Sequence, residues 1–291
     1  MISAHLLETF SDCYIASFEI GVYRIEISDG NEFKKNRLLS NSFDALLYFT
    51  QYAHERQGAN SNFSRYHRIA LRKSLNERIF NDVLLQDNKF PENVWNEFKN
   101  LTKDRITGIE YPNESHTIGA IRDILIHLKK NKESNIILLL KQYSLEDASN
   151  FLMELKGIGE KISALFLRDL QEYFNFWEPN KSNYFLIQPV DRWVKRLSKE
   201  CWSDFIPSDI HDNNAKQITE LCYQDNVNPI HFNMGAWFIG SHYEELCRFH
   251  NIPEEQTNNL EHCIKEFNRD KIIRALKKYL SDFKDGNTFY F

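Results

Sequence analysis

The chain has 291 residues, of which 42% are hydrophobic, 14% aromatic and 26% charged. This composition excludes a disordered or collagen-like chain, and no apolar run is long enough for a transmembrane helix. The net charge of −5, from 36 basic and 41 acidic residues, argues against a protein that coats nucleic acid through bulk positive charge.

The N-terminal segment, residues 1–40, contains a pattern typical of strands. Residues 14–28 are rich in β-branched and aromatic side chains and end at the turn signal Asp29-Gly30, which predicts a short strand or hairpin. The first 21 residues have neither a basic leader nor a continuous apolar stretch. A secretion signal needs both, so a cytoplasmic chain is expected.

The remainder of the chain, residues 41–291, is predicted to be a mostly helical body in two lobes. Glycine (10) and proline (7) are sparse, and apolar residues recur at three- and four-residue steps, as in amphipathic helices. Ser134 or Asn135 would cap one of these helices. The clearest periodic segments are residues 118–128, 136–143 and 260–283.

Five cysteines are scattered along the chain, at Cys13, Cys201, Cys222, Cys247 and Cys263. An odd number of widely spaced cysteines favours reduced thiols in the core over a disulfide framework. Cys247 and His250 have metal-like spacing, but no second close pair accompanies them. The sequence therefore predicts no metal and no cofactor.

The most informative stretch, residues 144–170, predicts two helices joined by a tight hairpin. Ser144 would cap the first helix, whose apolar face ends at Leu155. Gly157-Ile158-Gly159 follows, and two glycines relieve the steric cost of a sharp turn. A second amphipathic helix begins immediately afterwards.

Such a hairpin presents the backbone N–H groups of Gly157, Ile158 and Gly159 near the start of the second helix, where the helix dipole favours a phosphate. Backbone contacts of this kind let an acidic protein hold a nucleic-acid backbone without a large basic surface. For the glycine triplet alone, an ordinary tight turn between packed helices is the simpler interpretation.

Two further residues favour an active site. Lys161 lies in the first turn of the second helix, where the dipole disfavours a cation, and a lysine that has lost its proton is a nucleophile. Asp191 follows a proline at the predicted start of another helix, where its carboxylate would be kept ionised. Taken separately, a surface lysine and an N-capping aspartate would explain these positions.

Together, the motifs LKGIGEK and PVDRWVKRL strongly resemble the helix-hairpin-helix DNA glycosylases, which include endonuclease III and the 8-oxoguanine glycosylases. The resemblance implies a two-lobed helical DNA glycosylase fold. It also implies that Lys161 attacks the sugar, that Asp191 assists departure of the base, and that Gly157, Ile158 and Gly159 bind the DNA backbone.

A second likeness covers residues 228–240, which resemble the C-terminal helix of the archaeal-type 8-oxoguanine glycosylases. Asn233 and Trp237 take the places of an acidic residue and a tryptophan in that family's base pocket. Because asparagine replaces the acid, the pocket would accept and donate different hydrogen bonds. An oxidised purine resembling 8-oxoguanine is the expected substrate, with other modified bases left open.

Residues of the N-terminal half are also candidates for DNA contacts. Gln51, Phe63 and Tyr66 are candidates to complete the base pocket or wedge into the duplex, although core packing is the simpler role for both aromatic residues. Arg65 and Arg68 are candidates to bind phosphate. These five assignments rest on residue type alone.

The expected function is removal of a damaged or modified base from double-stranded DNA, followed by strand cleavage at the resulting abasic site. The chain is expected to act as a monomer associated with the nucleoid, without a membrane partner. Two alternatives remain: a glycosylase without lyase activity, in which Lys161 only positions DNA, and a non-catalytic helix-hairpin-helix DNA-binding protein. Action on modified bases of phage DNA is also compatible with the sequence.

Overall fold

The computed structural model describes residues 2–17, 37–53, 62–76, 78–102 and 119–282. These residues form helices joined by turns and loops, with no strand among them. The prediction of a mostly helical chain is confirmed for this part of the protein. The helices are α1 (Ala4–Thr9), α2 (described over 11–17), α3 (Arg37–Ser40), α4 (Ser42–Ala53), α5 (Asn62–Leu75), α6 (Phe80–Gln86), α7 (Phe90–Thr102), α8 (Gly119–Asn131), α9 (Ile136–Lys141), α10 (Leu145–Glu154), α11 (Glu160–Phe174), α12 (Arg192–Cys201), α13 (His211–Gln224), α14 (Pro229–Ser241), α15 (Tyr243–Phe249), α16 (Leu260–Glu266) and α17 (Arg269–Asp282), with short 3-10 turns at Tyr184–Ile187 and Glu254–Gln256.

The chain divides into two compact units. The central unit comprises Lys34–Glu178, and the terminal unit comprises Met1–Phe33 together with Pro179–Phe291. None of the helices in the described ranges combines the length and the apolar character needed to cross a bilayer.

The predicted N-terminal strand is wrong over residues 14–17, which belong to α2. The ring of Tyr14 contacts Trp237 of α14 edge to face, with centroids 5.5 Å apart. Packing of this kind overrides the local β preference of the sequence. The rest of the predicted hairpin, residues 18–30, lies outside the described residues.

The other helix predictions are confirmed in two cases and corrected in one. Residues 118–128 correspond to α8, and Asn135 caps α9 by accepting hydrogen bonds from the N–H groups of Ile137 and Leu138. Residues 260–283 do not form one helix, because α16 ends at Glu266 and α17 begins at Arg269. The N–H of Asn268, at the break, donates to Nε2 of His250, so a tertiary contact interrupts a continuous apolar stripe.

The core of the central unit contains a buried ion pair on α11. The guanidinium of Arg168 lies 2.8 Å from Oδ1 of Asp169, and both side chains are fully buried. The hydroxyl of Tyr52 on α4 donates to the other carboxylate oxygen at 2.7 Å. The ring of Tyr52 packs on Phe166, with centroids 4.9 Å apart. The hydrogen bond from Tyr52 to this ion pair and the ring packing on Phe166 therefore join α4 to α11.

Replacing Asp169 with asparagine should lower the free energy of unfolding by about 3–5 kcal/mol, because it removes the carboxylate that lies 2.8 Å from the buried Arg168 cation. Tyr52→Phe is the control: it removes one hydroxyl donor and should cost about 1.5 kcal/mol. Urea denaturation followed by circular dichroism measures both values. Equal losses in the two variants would contradict a dominant role for the buried charge.

The terminal unit is organised around α14, which is apolar on nearly every side. A Cβ atom at Gly235 would lie 1.8 Å from the carbonyl oxygen of Leu7 in α1. A Cβ atom at Gly240 would lie 2.3 Å from Cβ of Trp193 in α12. Both glycines therefore allow close packing of helices against α14.

All five cysteines are free and buried, as the sequence predicts. Burial raises the pKa of Cys13 and of Cys201 to about 12. Their sulfur atoms consequently stay protonated at neutral pH, and a protonated, enclosed thiol is a poor nucleophile.

The native chain should therefore react only slowly with a thiol reagent such as dithiobis-nitrobenzoate at pH 8, whereas the urea-denatured chain should release five equivalents of the chromophore. Because unfolding returns the Cys13 and Cys201 thiols to their ordinary pKa, a rise in pH above about 9 should destabilise the fold progressively. Rapid reaction of one or more thiols in the native chain would contradict this prediction.

Candidate active site

Residues 144–170 cover α10, a turn and most of α11 in the central unit, so the two helices predicted there and the tight turn between them are present. Oγ of Ser144 caps α10 by accepting a hydrogen bond from the N–H of Asp147 at 3.1 Å. In return, its hydroxyl donates to the Asp147 carboxylate. The hydroxyl of Ser163 on α11 donates to the Ser149 carbonyl on α10, which ties the two helices together. This local structure agrees with the prediction.

A tight turn over residues 155–158 connects the helices. The N–H of Ile158 donates to the carbonyl of Leu155 at 3.0 Å, and Gly157 has a φ of 80°. This is the arrangement of a type II turn, whose third residue needs a positive φ and is therefore usually glycine. The N–H of Lys156 donates to the Asp123 carboxylate of α8, so a neighbouring helix also fixes the turn.

Gly159 differs from Gly157 because the fold does not require it. Its φ is −106°, which any residue adopts, and an added Cβ would have no neighbour within 4 Å. The side chain of Ile158 between them is buried and anchors the hairpin, while Gly159 is exposed. The missing side chain at Gly159 thus leaves open space directly at the start of α11.

The start of α11 presents backbone donors beside this open space. The first backbone hydrogen bond of the helix joins the N–H of Ser163 to the carbonyl of Gly159 at 3.0 Å. The backbone N–H groups of residues 160–162 come just before this bond. N–H groups in this position are the ones that a helix N-terminus offers to an anion. The amide of Ile158 is different, since the turn itself uses it.

Lys161 lies in this first turn of α11 and is half-buried. Within the described part of the chain, its amine makes no hydrogen bond and no ion pair. An exposed lysine is often unpaired, but a half-buried one without a carboxylate partner keeps its amine available for a ligand.

Asp191 lies in the terminal unit as the N-cap of α12, as its position after Pro189 predicts. Oδ1 of Asp191 accepts hydrogen bonds from the N–H groups of Trp193 at 2.8 Å and Val194 at 2.9 Å. Oδ2 has no hydrogen-bond partner among the described residues. One carboxylate oxygen therefore fixes the side chain, and the other is available for a second interaction.

Two side chains from other helices hold the backbone immediately before Asp191. The amide of Asn233 on α14 donates to the carbonyl of Pro189 at 3.2 Å. Nε2 of His211, at the start of α13, accepts the N–H of Val190 at 3.1 Å. Because Nε2 accepts here, the proton of the neutral imidazole lies on Nδ1. No sequence pattern marks His211, which the fold brings to Val190 from 21 residues away along the chain.

The predicted base-pocket residues are distributed over both units. Asn233 is fully buried on α14, and Trp237, one turn later, is half-buried against Tyr14. Gln51 is half-buried on α4 of the central unit. Contact of any of these three side chains with a base stays a prediction.

The basic residues that follow Asp191 in the chain form an exposed stripe on α12. Arg192, Arg196 and Lys199 are exposed at helical spacing along one face, and both arginines lie over the ring of Trp193. Lys195 instead donates to the carbonyl of Ser208.

The candidate DNA-contact residues Phe63, Arg65, Tyr66 and Arg68 belong to α5 of the central unit. Tyr66 and Arg68 are half-buried there, and His67 is fully buried against Phe98. The side chains of Phe63 and Arg65 lie outside the described residues.

Comparison with known proteins places the chain in no family. No protein-family model matches it, and no solved structure matches it. Over 67 residues, it is 37% identical to an uncharacterized protein of Methanocaldococcus jannaschii. The match covers 23% of this chain and 16% of that protein, so the chain spans only a small part of this relative.

Proposed function

We propose that this protein is a DNA glycosylase with abasic-site lyase activity, which removes a damaged or modified base from double-stranded DNA. An oxidised purine resembling 8-oxoguanine is the proposed substrate. The observation that carries the proposal is the half-buried Lys161, without an ion pair in the described part of the chain, two residues after the exposed Gly159.

The chemistry assigned to Lys161 is nucleophilic attack on C1′ of the damaged nucleotide. The bond from C1′ to the base breaks as the Nζ–C1′ bond forms, and the base leaves with the bonding electron pair and takes up a proton. Loss of a proton from Nζ and opening of the sugar ring then give a Schiff base. Abstraction of a C2′ proton expels the 3′ phosphate by β-elimination, and hydrolysis releases the enzyme.

The role assigned to Asp191 is electrostatic. As the base departs, positive charge develops at the sugar, and a fixed carboxylate lowers the energy of that charge. The N-cap bonds through Oδ1 hold Asp191 in place, while Oδ2 offers negative charge.

The roles assigned to the hairpin and to α12 are contacts with the DNA backbone. The open space at Gly159 and the amides that begin α11 suit a phosphate oxygen. The exposed Arg192, Arg196 and Lys199 stripe supplies positive charge. Local contacts of both kinds fit a chain whose net charge is −5.

A panel of duplexes tests the proposed function. Each duplex carries 8-oxoguanine, uracil, an oxidised pyrimidine, an alkylated purine or an abasic site, and is incubated with the purified chain with and without sodium borohydride. The proposal expects base release, a strand break and a borohydride-dependent covalent adduct. Base release without an adduct would support a glycosylase without lyase activity. Binding without any reaction would support a non-catalytic DNA-binding protein.

The two hairpin glycines should respond differently to alanine. Gly159→Ala should weaken binding to a duplex with an abasic-site analogue about tenfold and change the free energy of unfolding by less than about 1 kcal/mol, because only a ligand approaches that position closely. Gly157→Ala should cost about 1–2 kcal/mol of stability, because alanine disfavours a φ of 80°. Fluorescence anisotropy and thermal unfolding measure the two effects, and unchanged binding in Gly159→Ala would contradict the phosphate contact.

A further inference from the structure

The terminal unit contains a buried amide side chain whose polar atoms have no hydrogen-bond partner among the described residues. Gln188 is fully buried, and neither its Nε2 nor its Oε1 makes a hydrogen bond with any described residue. The other buried asparagine and glutamine side chains of the described residues all make hydrogen bonds. They are Asn135, Gln171, Asn214 and Asn233.

An amide buried without hydrogen bonds destabilises the folded chain, because it loses its bonds to water and gains none in return. In native proteins, such groups are usually satisfied by a buried water molecule or by a ligand. A methionine of similar size at this position would avoid the cost. The glutamine at this position therefore indicates a partner that offers both a hydrogen-bond donor and a hydrogen-bond acceptor.

The position of Gln188 in the chain indicates the kind of partner that its amide would bind. It lies three residues before Asp191, so their Cα atoms are at most about 11 Å apart. The intervening Pro189 and Val190 are held through their backbone by Asn233 and His211. The Gln188 amide and the Asp191 carboxylate consequently belong to one rigidly held segment.

The chemistry of a carboxamide suits a nucleobase. Its donor and acceptor lie side by side in one plane, as do the donor and acceptor on the hydrogen-bonding edges of bases, and such pairs are bidentate. A carboxamide carries no charge, so it is a weaker partner for a phosphate than the arginines of α12. A base attached to a sugar beside Asp191 lies within reach of the segment that begins at Gln188.

We propose that Gln188 is a specificity-determining residue that binds one donor–acceptor edge of the extruded base. This inference rests on the proposed function, because the base reaches Gln188 only if its sugar is held beside Asp191. In the free protein, the unsatisfied amide lowers stability. In the complex with the correct base, it makes two hydrogen bonds.

The test compares base excision with abasic-site cleavage in Gln188→Met, which keeps the volume of the side chain and removes its polar atoms. On the substrate that the native chain excises, Gln188→Met should release the base at least tenfold more slowly. Cleavage of a duplex that already contains an abasic site should change less than twofold, since no base is present. The melting temperature of the free variant should rise.

Gln171→Met is the matched control. Gln171 is also buried, but its Oε1 accepts the N–H of Trp177 and its Nε2 donates to Asn175, so its replacement should lower the melting temperature. A fall in melting temperature for Gln188→Met, with equal losses of excision and abasic-site cleavage, would show a structural amide satisfied by water and would overturn the inference. Unchanged excision by Gln188→Met would also overturn it while leaving the glycosylase proposal intact. A native chain that neither excises a base nor cleaves an abasic site would overturn both.

Discussion

Lys161→Gln should abolish the borohydride-dependent adduct and lower the rate of strand cleavage at an abasic site by more than about 10⁴-fold. A nucleophile that forms the covalent intermediate has no substitute in the site, so its loss removes the intermediate altogether. Because the Lys161 amine makes no bond with the described residues, the variant should fold with a free energy of unfolding within about 0.5 kcal/mol of the native value.

The experiment incubates a labelled abasic-site duplex with sodium borohydride and separates the adduct by denaturing electrophoresis. Lys156→Gln is the matched control, because Lys156 is an exposed lysine on the same hairpin. Its adduct yield should equal that of the native chain. An undiminished adduct with Lys161→Gln would assign the Schiff base to a different amine and would end the role proposed for Lys161.

Asp191→Asn should lower base excision by about 10²–10⁴-fold without destabilising the chain. Asparagine caps helices about as well as aspartate, so Oδ1 still accepts the N–H groups of Trp193 and Val194. The variant loses only the negative charge that offsets the positive charge developing at the sugar. Single-turnover excision rates and thermal unfolding measure the two quantities on the same preparations.

Asp191→Ala separates the two roles of the side chain. It removes both charge and cap, so its free energy of unfolding should fall by about 1 kcal/mol while its excision rate resembles that of Asp191→Asn. If Asp191→Asn excises as fast as the native chain, the carboxylate is only a helix cap. A non-catalytic DNA-binding protein would show that result together with weaker binding in Gly159→Ala.

The two helices of residues 144–170, the turn between them and the start of α12 could be predicted from the sequence because every signal in these segments is local. Ser144 and Asp191 are caps that bond to amides two or three residues away, and Gly157 meets a φ requirement set within a four-residue turn. These features depend on neighbours in the chain, so their identity and order are sufficient. The prediction failed at residues 14–17, where contacts with α14 outweigh the local preference.

The mostly helical class, the hairpin and the capped start of α12 were thus determined by the sequence alone. The tertiary structure decided that Asn233 and His211 hold the backbone before Asp191 and that Gly235 and Gly240 admit neighbouring helices. It also decided that the Gln188 amide is buried without a hydrogen-bond partner in the part of the chain that the structure describes. Each of these facts is a contact, or a missing contact, between residues far apart in the chain or on different helices. Local periodicity specifies which face of a helix is apolar, but only the packed tertiary structure specifies which residues that face contacts.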